Sequence, residues 1–298
     1  MNYHDPVLLQ ECVSGLAIDP NGIYVDLTFG GGGHSREIVK HLKGGHLFAF
    51  DQDKDAQMNL LQDENFTFIP HNFRYVRNFL KYHNALPVNG ILADLGISSF
   101  QIDEPSRGFS TRADGPLDMR MSNGIRLTAG KVINEYSAER LSGIFRENAD
   151  LKEAWKLAKA IIAGRVTQEI ETIEQFKEVI LPIAQHGKEN SFLSRVFQAI
   201  RMEVNDEMEA LKEMLAQMPN ILADGGRLVV MSYHSLEDRL VKNLIRSGNT
   251  EGTIEKDFYG KPLVPFKAIT RKPVIASDEE IARNPRARSA KLRIGEKI

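Results

Sequence analysis

Residues 26 to 35 read DLTFGGGGHS, an acid followed by four consecutive glycines and then His34 and Ser35. Glycine is entropically costly to order, so a run of four implies a backbone that something must approach closely. Three later stretches carry groups that bind or move protons. FAFDQD holds Asp51, ILADLG holds Asp94, and SYHS holds Tyr233 and His234. A carboxylate accepts hydrogen bonds, a phenol or imidazole can stack or hydrogen-bond, and imidazole titrates near neutrality. Each also has a plainer reading. Asp51 and Asp94 would serve as strand-end or capping residues, and SYHS as the cap of a helix beginning LEDR, with Ser235 as N-cap and Asp238 three residues on.

The elements that must hold these residues are legible in the first hundred positions. GIYVDLTFG, HLFAFDQD, FTFIPHNF and VNGILADLG are short apolar runs with strand character. Between them lie HSREIVKHL, DAQMNLLQ and RNFLKYHN, of helical length or spacing. Strands alternating with helices predict a parallel sheet covered on both faces, with ligands beyond the carboxyl ends of the strands. Asp26, Asp51 and Asp94 fall at those ends. After Asp94 the next strand is GGRLVVMSYHS, near Arg227, with helical sequence between. A crossover needs only a few tens of residues. The intervening chain therefore reads as an insertion: residues 112–191 form an all-helical domain, and 1–111 with 192–298 form the sheet domain. FLSRVFQAIRMEVNDEMEALKEMLAQM reads as the returning crossover helix. LEDRLVKNLIR is a further helix, and PFKAITRKP and SAKLRIGEK are closing strands.

Three ligand classes use a glycine-rich turn after the first strand of such a sheet. A P-loop ends in Gly-Lys-Ser/Thr, whereas this loop ends in Gly33-His34-Ser35. A dinucleotide loop prefers GxGxxG, and from Gly30 the sixth residue is Ser35, an imperfect match. S-adenosylmethionine in a methyltransferase sheet is the third, with its carboxylate meeting the exposed N–H groups of a helix start. Asp51, about 18 residues past the glycines, suits a ribose in either of the last two. Residues alone leave that choice open.

Composition excludes several classes. Hydrophobic residues are 42% and charged residues 26%, as in ordinary globular proteins. Cys12 is the single cysteine, which rules out an internal disulfide and a cysteine-rich metal site. MNYHDPVLLQECV has no basic segment followed by a long apolar run, and no stretch approaches about 18 apolar residues. A cytoplasmic protein with no membrane partner is expected. The net charge of −2 gives no global sign of a nucleic-acid partner, yet residues 256–298 carry eleven Lys/Arg against five Asp/Glu.

Eight stretches in order resemble one family: HDPVLLQE, YVDLTFGGGGHS, FAFDQD, GILADLGISSFQ, RGFS with DGPLDMRM, FQAIRMEVNDE, GGRLVVMSYHSLEDR and NPRARSAKLR. Together they are similar to the bacterial small-subunit ribosomal RNA cytosine-N4 methyltransferases (methyltransferase H). The resemblance covers nearly the whole chain. It implies an α/β, Rossmann-like class I S-adenosylmethionine-dependent methyltransferase sheet with an inserted all-helical domain. The implied reaction methylates the exocyclic amine of a cytidine in the decoding region of 16S rRNA, with the small ribosomal subunit as partner. The family's cofactor positions fall on Gly32, Gly33, His34, Asp51, Phe73, Asp94 and Gln101. Phe100 stands where relatives commonly have proline before that glutamine.

Cytosine N4 is a weak nucleophile because its lone pair is delocalised, so a site must hold acceptors against the amine and take up its proton. Many amino-methyltransferases use Asp/Asn-Pro-Pro-aromatic after strand four. Here that place reads Asp94-Leu95-Gly96-Ile97, which leaves Asp94 as acceptor and requires the stacking residue to come from elsewhere. Tyr233 for stacking and His234 for proton acceptance are the candidates, so Asp94, Tyr233 and His234 form the expected catalytic set, with no metal. Asp118 and Arg120 are either a structural ion pair or part of the substrate pocket. Lys152, Lys156 and Lys159 are read on one face of a helix, with Leu151, Trp155 and Ile162 on another. These lysines, with Arg286 and Arg288 of the basic tail, are candidate RNA contacts. Rival readings are a non-catalytic S-adenosylmethionine-responsive RNA-binding or assembly factor, a DNA amino-methyltransferase, and a nicotinamide oxidoreductase.

Overall fold

The computed structural model describes residues 6–298. His4 and Asp5 of the HDPVLLQE stretch lie outside the described residues. The chain divides into two compact units, one made of the chain through Gly96 together with Met208–Ile298, the other of Ile97–Glu207. In chain order the first unit opens with α1 (Leu9–Leu16), β1 (Ile23–Asp26), α2 (Gly33–Lys40), β2 (His46–Phe50), β3 (Phe66–Ile69), α3 (Val76–Tyr82) and β4 (Val88–Asp94). The second unit holds α4 (Ser99–Asp103), α5 (Ala129–Glu135), α6 (Ala138–Glu147), α7 (Ala154–Thr167), α8 (Ile173–Ile180) and α9 (Glu189–Asn205). The chain then continues through α10 (Glu207–Ile221), β5 (Leu222–Ser232), α11 (Ser235–Ser247), β6 (Phe266–Ala268), α12 (Asp278–Arg283) and β7 (Lys291–Lys297).

The strands form a seven-stranded sheet in the order β3-β2-β1-β4-β5-β7-β6. Strands β1 to β5 are parallel, whereas β7 runs antiparallel to β5 and to β6. This is the class I methyltransferase sheet that the resemblance implied. Side chains alternate between its faces, as a period of two requires. Val25, Phe48, Phe50, Ile91, Ala93, Leu228 and Val230 face a core completed by α3, α10 and α11. Tyr24, Leu47, Leu92, Val229 and Met231 face the other, completed by α1 and α2. Both faces are covered, so the strands read as near-continuous apolar runs. Ile91 and Leu92 are wholly buried, on opposite faces, and truncating either to alanine would cost about 2–5 kcal/mol.

The second unit has its own apolar cluster, drawn from Leu141 and Phe145 of α6, Leu157 and Ile161 of α7, Phe176 of α8, and Val196 and Ile200 of α9. Polar caps start its helices. Ser137 accepts from the backbone N–H of Arg140, and Thr172 forms a reciprocal capping box with Gln175.

Four local readings change. DAQMNLLQ forms only a short 3-10 helix, Lys54–Asn59. The stretch read as one long crossover helix is two helices. It breaks at Asp206, whose φ of 50° is left-handed, so α9 belongs to the second unit and α10 to the first. That unit therefore runs from Ile97 to Glu207 rather than over 112–191. Trp155 does not share a buried face with Leu151: it is 43% exposed, and Ala154, Leu157, Ala158 and Ile161 are the buried positions of α7. Lys159 Nζ lies 5.5 Å from the Trp155 ring centre, so cation and ring share one side, and Lys152 precedes the helix.

Candidate active site

The parallel register brings Asp26, Asp51 and Asp94 to one sheet edge, because each sits at or just past the carboxyl end of β1, β2 or β4. Tyr233 joins them as the residue after β5, which pairs with β4 through Met231 opposite Asp94. Asp26 is buried. Its carboxylate accepts from the Thr28 N–H at 3.0 Å and from Ser35 Oγ at 2.6 Å. Burial raises its pKa against those two hydrogen bonds and the nearby His34. Thr28 Oγ1 accepts from the Asp94 N–H at 2.7 Å, which ties the loop after β1 to the end of β4.

Gly30 and Gly32 have φ of 51° and 73°, the left-handed region where a side chain is strained. The loop is braced from outside. Asp51 Oδ2 accepts from the Gly30 N–H at 2.7 Å, Asn59 Nδ2 donates to the Gly30 carbonyl at 3.0 Å, and Arg36 donates to the Gly31 carbonyl at 2.6 Å. Part of what approaches the glycines is the chain itself. A Cβ on Gly32 would stand 2.8 Å from the Phe29 ring, and one on Gly33 would stand 2.2 Å from Pro6. At these two positions, bareness is already required by internal packing. His34 is buried, and its Nε2 is 3.1 Å from the Val7 carbonyl, which makes that nitrogen the donor.

Asp51 also accepts from the Asp53 N–H at 2.8 Å through Oδ1. A carboxylate offers about four acceptor positions, so each oxygen keeps capacity for a further donor. Burial pushes Asp51 up to about 6, against the two backbone N–H groups. Asp94 is likewise pushed up to about 6 by burial, with His34 and the Tyr233 hydroxyl pulling the other way. Tyr233 Oη donates to Asp94 Oδ1 at 2.9 Å. Burial and the Asp94 carboxylate both hold the phenol well above its ordinary value, which keeps that proton on Tyr233.

The cap of α11 differs from expectation by one residue. His234 is the N-cap, with extended φ of −138°, and Glu237 rather than Asp238 completes the box. His234 Nδ1 accepts from the Glu237 N–H at 3.4 Å, and Glu237 Oε2 accepts from the Tyr233 N–H at 2.9 Å. His234 Nε2 lies 3.0 Å from Glu237 Oε1. The imidazole is therefore bonded through Nδ1 alone, its buried Nε2 making no hydrogen bond although Glu237 Oε1 is close, while Tyr233 is the member of SYHS that reaches Asp94.

Phe73 opens a short 3-10 helix after Asn72 and packs half-buried against the core that α3 covers. Gln101, in the second unit, is buried, and its Oε1 accepts from the Ser98 N–H at 3.0 Å in a capping box that starts α4. Phe100 leaves that cap intact and is itself 39% exposed. Asp118 and Arg120 form a bidentate ion pair, at 2.9 and 2.7 Å. Lys152, Lys156, Lys159 and Arg288 are exposed, whereas Arg286 is half-buried in the 3-10 turn Pro285–Ser289. Sequence reasoning missed Thr28, Asn59 and Glu237 as supports of the site. Only Glu237 had a signal: it stands three residues after His234, at capping-box spacing.

The sequence profile of the MraW methylase family matches residues 1–298. A ribosomal RNA small subunit methyltransferase H from Christiangramia forsetii is 55% identical over 299 residues, covering 100% of this chain and 99% of that one. A protein of the same name from Bacteroides thetaiotaomicron is 54% identical over 298 residues, covering 100% and 98%. A crystal structure of an rRNA methylase from Streptococcus thermophilus superposes with a TM-score of 0.42 at 13% identity, covering 97% and 93%. Matched to that profile along its full length, and more than half identical to such relatives from end to end, the chain belongs to the MraW methylase family.

Proposed function

We propose that this protein transfers a methyl group from S-adenosylmethionine to the exocyclic N4 amine of a cytidine in the decoding region of 16S rRNA, within the small ribosomal subunit. The observation that carries the reading is the Asp94–Tyr233 pair at the carboxyl edge of β4 and β5, with Asp94 poised near neutrality. The relatives' name supports rRNA of the small subunit as the substrate class.

The residues present fit the donor. Asp51 has acceptor capacity for ribose hydroxyls beyond its two backbone partners, and the left-handed Gly30 and Gly32 shape the loop beside it. His34 and Gly33 begin α2, whose first N–H groups suit a carboxylate. Phe73 and Gln101 are assigned to the same cofactor from the family pattern. When bound, S-adenosylmethionine supplies a methyl already activated on a sulfonium.

The chain's own residues do the rest. Tyr233 Oη fixes the Asp94 carboxylate by donating to Oδ1, which leaves Oδ2 to accept an amine hydrogen. An acceptor there favours the amine geometry whose lone pair points away from Asp94 and toward the methyl. The methyl would leave its sulfur as a neutral thioether while the N–C bond forms, the amine nitrogen would become cationic, and Asp94 Oδ2 would take the proton it sheds. A carboxyl near 6 is better matched to that task at neutral pH than an ordinary aspartate. His234 holds the backbone turn that aims Tyr233, through its box with Glu237. Lys152, Lys156, Lys159, Arg286 and Arg288 supply phosphate contacts.

Small subunits lacking the modification, incubated with protein and tritiated S-adenosylmethionine and then digested to nucleosides, test this directly. The label is expected in N4-methylcytidine from 16S rRNA. Label in DNA alone, at another nucleoside, or in no nucleic acid would overturn the assignment.

A further inference from the structure

The first unit carries a tight hairpin turn at residues 255–263, between α11 and β6. Lys256 and Pro262 form an isolated antiparallel bridge, and Leu263 N–H donates to the Glu255 carbonyl at 2.8 Å. Asp257 organises the tip. Its N–H donates to the Lys261 carbonyl at 2.9 Å, its carbonyl accepts from the Gly260 N–H at 3.0 Å, and its Oδ1 accepts from the N–H groups of Tyr259 and Lys261 at 2.9 and 2.8 Å. Gly260, at φ of 82°, supplies the left-handed position the reversal needs.

This ordered turn presents Phe258 and Tyr259 at 97% and 90% exposure, with Leu263 54% exposed behind them. Single exposed apolar residues are ordinary, but two adjacent aromatics on a five-bonded turn are a patch without a cover. Their rings meet edge to face, centroids 5.5 Å apart at 88°, which leaves π-surface uncovered. Lys256 and Lys261 flank them, both exposed, and neither has an acidic side chain within ion-pair distance among the described residues. Of the two acids in the hairpin, Asp257 is tied into the turn through its carboxylate, and Glu255 stands at its base. Residues 256–298 carry a charge of +6, eleven basic against five acidic side chains.

The geometry points to this hairpin as a stacking platform for unpaired bases of single-stranded RNA, with Lys256 and Lys261 on the flanking phosphates. The inference rests on the reading of the substrate as RNA. Aromatic faces between free cations suit a polyanion whose bases are splayed out, and stacking of this kind tolerates any sequence. A strand of RNA carries a phosphate beside every base, so it meets stacking faces and flanking cations together, which favours the nucleic acid.

Fluorescence anisotropy of the full chain with a fluorescein-labelled, mixed-sequence single-stranded RNA 12-mer tests it. Phe258→Ala with Tyr259→Ala should weaken binding by about tenfold or more. Phe258→Leu with Tyr259→Leu, which keeps apolar bulk but removes the π-faces, should weaken it similarly, whereas Phe258→Trp with Tyr259→Trp should keep native affinity. Lys256→Glu with Lys261→Glu should flatten the salt dependence. Calorimetric binding of S-adenosylmethionine should be unchanged in every variant. Unchanged RNA affinity in the Ala pair, or full affinity in the Leu pair, overturns the platform, as does a dimer in sedimentation velocity that the Ala pair dissolves. Failure here is separable from failure of the proposed reaction. Wild-type label in N4-methylcytidine with an unaffected Ala pair keeps the reaction and removes the platform. RNA binding lost in the Ala pair, without label in any wild-type reaction, keeps the platform and removes the reaction.

Discussion

Asp94 in the sheet unit and Asp118 in the helical unit are both half-buried aspartates fixed by side-chain hydrogen bonds, yet their acidities move in opposite directions. Burial acts upward on both. At Asp118 it is outweighed by the Arg120 guanidinium, which donates twice to the carboxylate and holds it below the ordinary range. At Asp94 the side chain that donates to the carboxylate is a neutral phenol. One hydroxyl and the nearby His34 do not offset burial, and the carboxyl stands at about 6. A guanidinium locks an acid in its charged form as structure, whereas a hydroxyl orients an acid while leaving it able to exchange a proton near neutral pH. The difference separates an acid read as a catalytic acceptor from one for which an ion pair and a pocket role were both open.

The largest effect that tests this contrast is on turnover. Asp94→Ala, assayed with saturating donor and subunits, should lose about 10²–10⁴-fold in rate beyond any loss of donor occupancy. A loss accounted for wholly by donor affinity would make Asp94 a cofactor residue instead. Asp51→Ala should weaken S-adenosylmethionine binding by about tenfold or more, because ribose hydroxyls lose a charged acceptor. Calorimetry showing native affinity would remove Asp51 from the site.

Tyr233→Phe sharpens the comparison at its centre. The Tyr233 hydroxyl lowers the Asp94 pKa, so its removal should shift the acidic limb of the pH–rate profile upward and cut the rate near pH 6 by roughly severalfold, with recovery at higher pH. A limb that stays in place would mean the hydroxyl does not act on Asp94.

The smallest effects are on stability and have opposite pH signs. Asp94 has a raised folded pKa, so its contribution is fullest below about 4 and is lost as pH rises through about 6. Asp94→Asn should therefore gain Tm relative to native by more at pH 8 than at pH 5. Asp118 is depressed, so its contribution is present above the ordinary aspartate value and lost as pH falls below it. Arg120→Ala should destabilise by up to about 1 kcal/mol at pH 7, with the deficit shrinking below pH 4. Thermal melts showing the same pH trend for both variants would collapse the distinction.

Spacing and periodicity alone identified the alternating strands and helices, the glycine turn after β1, the three acids at strand ends and the helical character of the insertion. These properties are local. A period of two or 3.6, a glycine run or a strand-end acid is written within ten or so consecutive residues. Three features needed the folded chain. Asp206 breaks what reads as one helix, because it caps α9 in a left-handed conformation that a helix cannot continue through. The cap of α11 falls on His234 rather than Ser235, because the extended backbone after β5 ends one residue earlier than the sequence implies. Phe29 and Pro6 fill the space beside Gly32 and Gly33, an approach the glycines announce without naming.

Composition and pattern thus determined a doubly covered sheet whose first five strands run parallel, since strands alternating with helices bury apolar side chains on both faces. Only tertiary structure decided which acid is poised and which is locked. Tyr233 reaches Asp94 across 139 residues of chain, and the acidity of a carboxyl depends on what stands within a few ångströms of it rather than on its neighbours in sequence.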